Sequence, residues 1–368
     1  VSGQSNNYNE IRQCNVLPFL PDWNSNENSQ PRDLVNTHKE RMNIAILGPG
    51  GIADDAHAPA VNMHPDAKLW SVLSRSRDRA EQFARNHDLA SPSPTYTDLD
   101  ELLHDPDLDA VIVATPDRLH SEQVLKAAKA GKHILLEKPM ATSVSECDAM
   151  MEACHANNVT LAMAYHLRWH AGHRQVREQV VGGAFGQLRH VRVHWTFQVA
   201  DDSNWRSSPQ TGRWWALAAN GTHCLDFIRW IMCPSEGEVV DVRCMINRAK
   251  FGSPHDETAI VLLSFESGST AEFCVSVQFE SASRIEIYGD DSHVRMEGTM
   301  GRHGAGSIFH GVNPVSFEIQ NPFLGELNNF IEAVREGRPA EVDGIEGRRN
   351  VEILTRAIKS SGADNYQD

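Results

Sequence analysis

Five short segments of the chain carry residues whose types and spacing could do chemistry. Gly48-Pro49-Gly50-Gly51-Ile52-Ala53 is a G-x-G-x-x-A turn. Its first glycine permits a tight turn, and its second lets the backbone approach a pyrophosphate. The small last residue lets a following helix pack on the preceding strand, and the N-terminus of that helix attracts the anion. Ser74-Arg75-Ser76 offers two hydroxyls and a guanidinium but no acid to hold the ribose hydroxyls of NAD. An arginine there suits a 2′-phosphate, so NADP is expected in preference to NAD. Ala114-Thr115-Pro116 and Glu137-Lys138-Pro139 each close an apolar run. A lysine at such a strand end can donate to a substrate hydroxyl or carbonyl oxygen, with a pKa open to tuning by burial. In residues 212–226, Asn220 reads as a helix N-cap, which puts His223 in the first helical turn, facing a pocket. By itself such a histidine is more often structural.

These segments need strands to end on and helices to start from. Apolar runs at 42–47, 69–73, 109–114 and 133–136 alternate with helical patterns at 78–86, 121–130 and 145–156. Short apolar strands alternating with helices predict a parallel sheet covered on both faces, a doubly wound α/β domain over 42–163. Ligands of such sheets sit outside the carboxyl ends of the strands, which is where the first four segments fall. From residue 185 onward the period changes to two, as in Val191, Val193, Trp195, Phe197 and Val199. Glu266-Ser267-Gly268-Ser269 and Gly289-Asp290-Asp291-Ser292 read as hairpin turns. Residues 164–368 are thus expected to form an α+β domain with a large, mostly antiparallel open sheet. Its closing helices, within 324–360, are expected to pack back toward the first domain. Residues 1–41, rich in Asn, Ser, Gln and Pro, read as an arm or tail.

Length and charge bound the partners. A chain of 368 residues is too long for one core, and a net charge of −15 repels phosphate backbones and anionic lipids. Neither nucleic acid nor membrane is an expected partner, and no run is long and apolar enough to span a bilayer. Seven scattered cysteines without a C-x-x-C, and no signal-like start, fit free thiols in a cytoplasmic protein. His166, His170 and His173 have the spacing of ligands on one helix face but no acidic or cysteine partner, so no metal is expected. A His223–Cys224 nucleophile pair is disfavoured because successive helix residues point about 100° apart.

Taken in order, these motifs resemble the Gfo/Idh/MocA oxidoreductases over about residues 42–362. The resemblance rests on the G-x-G-x-x-A turn, Thr115-Pro116, Glu137-Lys138-Pro139, the Gly221-Thr222-His223 helix start and the Gly183-Ala184-Phe185-Gly186 turn. It implies that Lys138 and His223 are catalytic, with Lys138 polarising the substrate oxygen and His223 exchanging its proton. It implies a cofactor site built from residues 48–53, Ser74, Arg75, Ser76, Thr115, Pro116, His120, Glu137, Lys138 and Arg168. Tyr165, Arg206, Arg213 and Trp214 would join Lys138 and His223 at the substrate. Where the family commonly has an acid four residues before the histidine, this chain has Ala219. The function implied is NADP-dependent hydride transfer on a secondary alcohol or carbonyl of a sugar- or polyol-like substrate, in a homodimer or homotetramer. An NAD-dependent glycosidase acting by transient oxidation and a non-catalytic dinucleotide-sensing regulator are the alternatives.

Overall fold

A computed structural model describes residues 41–89, 94–208 and 213–363. Apart from Arg41, the expected arm lies outside the described residues. Six strands form the first sheet: β1 (Met42–Leu47), β2 (Ala67–Leu73), β3 (Thr95–Tyr96), β4 (Ala110–Val113), β5 (His133–Glu137) and β6 (Leu161–Ala164). Their spatial order is β3-β2-β1-β4-β5-β6, all parallel. β1 and β4 are buried along their whole length, as strands covered on both faces must be. Strand order reverses between β1 and β4, and this crossover opens the crevice in which a doubly wound sheet binds its ligand.

Eight strands form the second sheet: β7 (Leu188–Thr196), β8 (Val239–Asn247), β9 (Thr258–Phe265), β10 (Thr270–Ser276), β11 (Arg284–Gly289), β12 (His293–Glu297), β13 (Ser307–His310) and β14 (Asn313–Val315). Their order is β14-β13-β12-β11-β7-β10-β9-β8, antiparallel except between β7 and β10. One face of this sheet is covered by the helix Thr222–Glu236, whose Leu225, Phe227 and Ile228 join the core of Val191, Val261, Phe273 and Ile285. The helix Pro322–Glu336 lies on the first sheet, with Phe323, Leu327 and Phe330 packed in one cluster with Ile44, Ile46 and Val61. Between this helix and Gly344–Ser360 the chain meets the edge of β6, where Met163 N donates to Val342 O at 2.8 Å. Among the described residues no helix is long and apolar enough to cross a membrane.

Candidate active site

The glycine turn leaves β1 at the crossover. Gly48 sits at φ +91°, and a Cβ there would stand 2.9 Å from Thr115 Cγ2 and 3.0 Å from Ala114 O. Only glycine allows both that dihedral and that approach to the end of β4. A Cβ on Gly50 would meet nothing within 4 Å, so the backbone there faces open space. The turn runs straight into a helix opened by a π-helical stretch at Ala53–His57. An open glycine cradle at a helix N-terminus fits a dinucleotide pyrophosphate.

Ser74 is buried at the end of β2, and its Oγ accepts from Ser76 N at 3.2 Å. Ser76 caps the helix Arg77–Asn86. Arg75 is exposed, and Arg79, one turn into that helix, donates from Nη2 to Pro49 O at 3.3 Å. Sequence reasoning missed Arg79, whose side chain crosses from the second strand's helix to the glycine turn. His120 fastens the loops after β4 and β5 together. Its Nε2 is 2.9 Å from Thr115 O and its Nδ1 3.0 Å from Pro139 O. Fully buried, it holds these loops in place beneath the surface that would meet a ligand.

Glu137 closes β5 with both oxygens committed. Oε1 accepts from His57 Nε2 at 2.8 Å and Oε2 from Lys138 N at 3.1 Å. Burial pushes its carboxyl up, but the His57 hydrogen bond and the charges beside it, Lys138 among them, outweigh it and hold it at about 2. Lys138 Nζ donates to Ala219 O at 3.0 Å and to Ala218 O at 3.3 Å. Burial is the largest influence on that ammonium and the Arg206 charge the next, and its pKa falls to about 8.

The two carbonyls that hold Lys138 belong to a π-helical turn, Leu217–Gly221, which continues into the helix Thr222–Glu236. The expected cap at Asn220 is therefore corrected: Asn220 lies inside the turn, and its Nδ2 donates to Trp195 O. The start is instead capped by a residue distant in sequence. The carboxylate of Asp256 accepts from Trp215 N at 3.0 Å and Leu217 N at 2.7 Å. π turns of this kind recur at functional sites.

His223 stands one turn beyond Ala219 and is 4% exposed. Its ring lies 4.9 Å from that of His166, 5.7 Å from Trp195 and 5.8 Å from Tyr165. Burial lowers its pKa well below the ordinary value, and the Lys138 and Arg206 charges add to this, so the imidazole is neutral near pH 7. Among the described residues its Nδ1 has no hydrogen-bond partner. Tyr165 is wholly buried, and its hydroxyl shares a hydrogen bond of 2.7 Å with Thr222 Oγ1, fixing the start of the helix that carries His223. Cys224 is buried away from the site, and burial pushes its thiol up.

His120 and Tyr165, expected at the ligands, are wholly buried with internal partners, and three more site expectations change in the structure. Arg168 does not open onto a ligand surface. It pairs with both oxygens of Asp226, at 2.8 and 2.6 Å, and with Glu346 at 2.6 Å. Asp226 is three residues past His223, so this buried pairing anchors the helix that carries His223 against the helix Gly344–Ser360. Trp214 is 0% exposed, a core side chain that no sugar can reach. Arg213, also buried, donates to Thr142 O at 2.7 Å. By contrast Arg206 stands at the site, its guanidinium 4.0 Å over the Trp205 ring and 3.9 Å from Asp117.

The three histidines are not on one helix. His166 is in a 3-10 turn, whereas His170 caps the helix Ala171–Val181 by accepting from His173 N. Besides His166, sequence reasoning missed His57, which bonds Glu137, and Asp117 and Arg302, whose charges act on Lys138. Arg302 reaches across from the second domain to Asp55 at 2.8 Å, beside the glycine-turn helix. Only Asp117 had a local signal, its place directly after Thr115-Pro116.

Comparison with known proteins bears on this geometry. Residues 42–165 match the model of the Gfo/Idh/MocA oxidoreductase family, NAD-binding Rossmann fold, and residues 173–295 match the Gfo/Idh/MocA C-terminal domain. The chain is 26% identical over 342 residues to the myo-inositol 2-dehydrogenase of Thermotoga maritima, covering 87% of this chain and 96% of that protein. It is 28% identical over 289 residues to the 1,5-anhydro-D-fructose reductase of Ensifer adhaerens, covering 76% and 85%. Among solved structures, the aldose-aldose oxidoreductase of Caulobacter crescentus, complexed with glycerol, superposes with a TM-score of 0.80 at 26% identity. That match covers 88% of this chain and 98% of that one.

Proposed function

The chain belongs to the Gfo/Idh/MocA family of NAD(P)-dependent oxidoreductases, and from that premise we propose that it transfers hydride between NADP and a secondary alcohol, or its carbonyl, of a sugar- or polyol-like substrate. The observation that carries the reading is the tethering of Lys138. An ammonium has three N–H donors. Two point at the carbonyls of Ala218 and Ala219, and the third is left for a substrate oxygen beside His223. When bound, the dinucleotide supplies the hydride chemistry at its nicotinamide. Residues 48–53 would hold its pyrophosphate, Thr115 and Pro116 would border it, and Ser74, Arg75 and Ser76 would meet the adenine ribose. In oxidation Lys138 fixes the substrate oxygen and the neutral imidazole of His223 takes its proton. In reduction the Lys138 ammonium polarises the carbonyl and supplies the proton to the oxygen. At 219 the peptide carbonyl orients Lys138 in the place where an acid is common in the family. The activities named for two relatives, an inositol dehydrogenase and an anhydrofructose reductase, support sugars and polyols as the substrate class.

The absence of an acid at the end of β2 and the exposed Arg75 support NADP. One charged hydrogen bond to the 2′-phosphate is worth about 1.5–3 kcal/mol, so NADP should exceed NAD by at least about tenfold in kcat/KM at low salt. Aldoses, polyols and sugar acids are to be screened with each dinucleotide and followed by reduced-nicotinamide absorbance. Turnover with one of these classes and an NADP preference that Arg75→Ala abolishes is the expected result. A protein that binds the dinucleotide yet turns over none of them would contradict the proposal and favour a sensing role.

A further inference from the structure

Asp117 lies in the turn that leaves β4 at the crossover. It is 2% exposed, and among the described residues neither carboxylate oxygen has a hydrogen-bond partner. About nine in ten buried polar groups are partnered, so two unpartnered oxygens on one buried acid call for an explanation. Burial is the largest influence on its carboxyl and raises it, and the charges that oppose this include Arg206, whose Nη2 is 3.9 Å from Oδ1, and Lys138. His120 is occupied on both ring nitrogens by the carbonyls of Thr115, Pro139 and Met140. Arg206 and Lys138 are therefore the two cations that Asp117 can serve.

Among the described residues no carboxylate hydrogen-bonds the Lys138 ammonium; Glu137, the largest opposing charge on it, gives its oxygens to His57 Nε2 and Lys138 N. The ammonium's hydrogen bonds go to neutral carbonyls, and the charges facing it are Arg206 and Arg302 against Glu137 and Asp117. His223 and His166, on the helix and the 3-10 turn packed beside it, are held neutral by burial. Glu137 already answers His57. We propose that Asp117 is the positioning residue of the site, the buried counter-charge that keeps the Lys138 ammonium protonated and holds Arg206 toward the substrate pocket. This rests on the reading of Lys138 as the oxygen-binding group. It also supplies, from the strand-end loop, the negative charge that Ala219 cannot.

The sign of the effect is fixed by electrostatics: an anion beside an ammonium favours its charged form, so removing the anion lowers the pKa. In the full-length protein labelled with [13C]lysine, the Lys138 Cε resonance, assigned by its loss in Lys138→Met, reports its titration without substrate or cofactor. The midpoint, about 8 in the native protein, should fall by about one pH unit in Asp117→Asn. Asp117→Glu, which keeps the charge, should restore at least half of that shift, and the pH limb of kcat/KM should move with the midpoint. Dinucleotide affinity, read by fluorescence, should stay within about twofold, because Asp117 serves the substrate side. Asp117→Ser is read in the same way should the Asn variant not fold. A midpoint within about 0.2 unit of native in the charge-free variant would overturn the proposal. If the midpoint moves but Lys138→Met keeps native turnover, the catalytic reading of Lys138 fails while the electrostatic pairing stands.

Discussion

A buried ammonium loses its proton near neutrality unless something offsets its desolvation. Lys138 sits at that balance, drawn down by burial and Arg206 to about 8. In the reducing direction the ammonium is the form that polarises a carbonyl, so kcat/KM should fall about tenfold per pH unit above about 8. His223 is neutral across that range, so in this direction the Lys138 ammonium is also the group with a proton to give, and one alkaline limb is expected. A reduction rate that rises through pH 8, or a two-proton slope, would show that another group titrates. Lys138 and His223 were legible in the sequence because each stands in a local motif whose place in the fold is set by the strand or helix beside it. Arg168 and Trp214 were misjudged for the opposite reason. Whether an arginine meets a ligand or Asp226 depends on a partner 58 residues away, which no local pattern encodes.

At the scale of elements, the site depends on a π turn whose first N–H groups are capped from a distant loop. Asp256 is fully buried and accepts two backbone N–H bonds, from Trp215 and Leu217. Asp256→Ala leaves both donors unpaired in the core, at about 1–3 kcal/mol for a buried unsatisfied group. A destabilisation of about 2–4 kcal/mol is expected in urea denaturation. Burial, opposed by those backbone bonds, raises the Asp256 carboxyl to about 6 from its ordinary 3.8. The folded state thus binds this proton more tightly than the unfolded chain. The stability this contributes is fully present below about pH 3.8 and lost as pH rises through about 6. Asp256→Asn should flatten that part of the stability–pH curve, and an unchanged slope would contradict the assignment. Asn220 looked like the cap because its residue type suits one, but capping here comes through tertiary structure.

For the whole molecule, the two sheets follow from two periodicities in the sequence. Continuous apolar strands between helices gave the parallel sheet, and alternation gave the half-covered one. The parallel pairing of β7 with β10 was not legible, since alternation fixes faces and not strand order. The uncovered face of the second sheet carries Met245, 75% exposed, directly opposite Ile260 in the strand register, with Leu262 beside them. Arg192 on the same sheet pairs with Glu272 and Glu286. An open sheet with an apolar strip invites self-association. At micromolar concentration light scattering should give at least a dimer, and Ile260→Lys with Leu262→Lys should give a monomer. A native monomer would show that this face stays in water.

The account turns on Lys138 and His223 working as one proton-handling unit. The direct measurement is turnover, by reduced-nicotinamide absorbance, of the native protein, Lys138→Ala, His223→Ala and the double variant, each with dinucleotide binding checked by fluorescence. Each single variant should lose about 10²–10⁴-fold in kcat while still binding the dinucleotide, and the double variant should lose little more. Turnover within about tenfold of native in either single variant, or losses that multiply in the double variant, would contradict it.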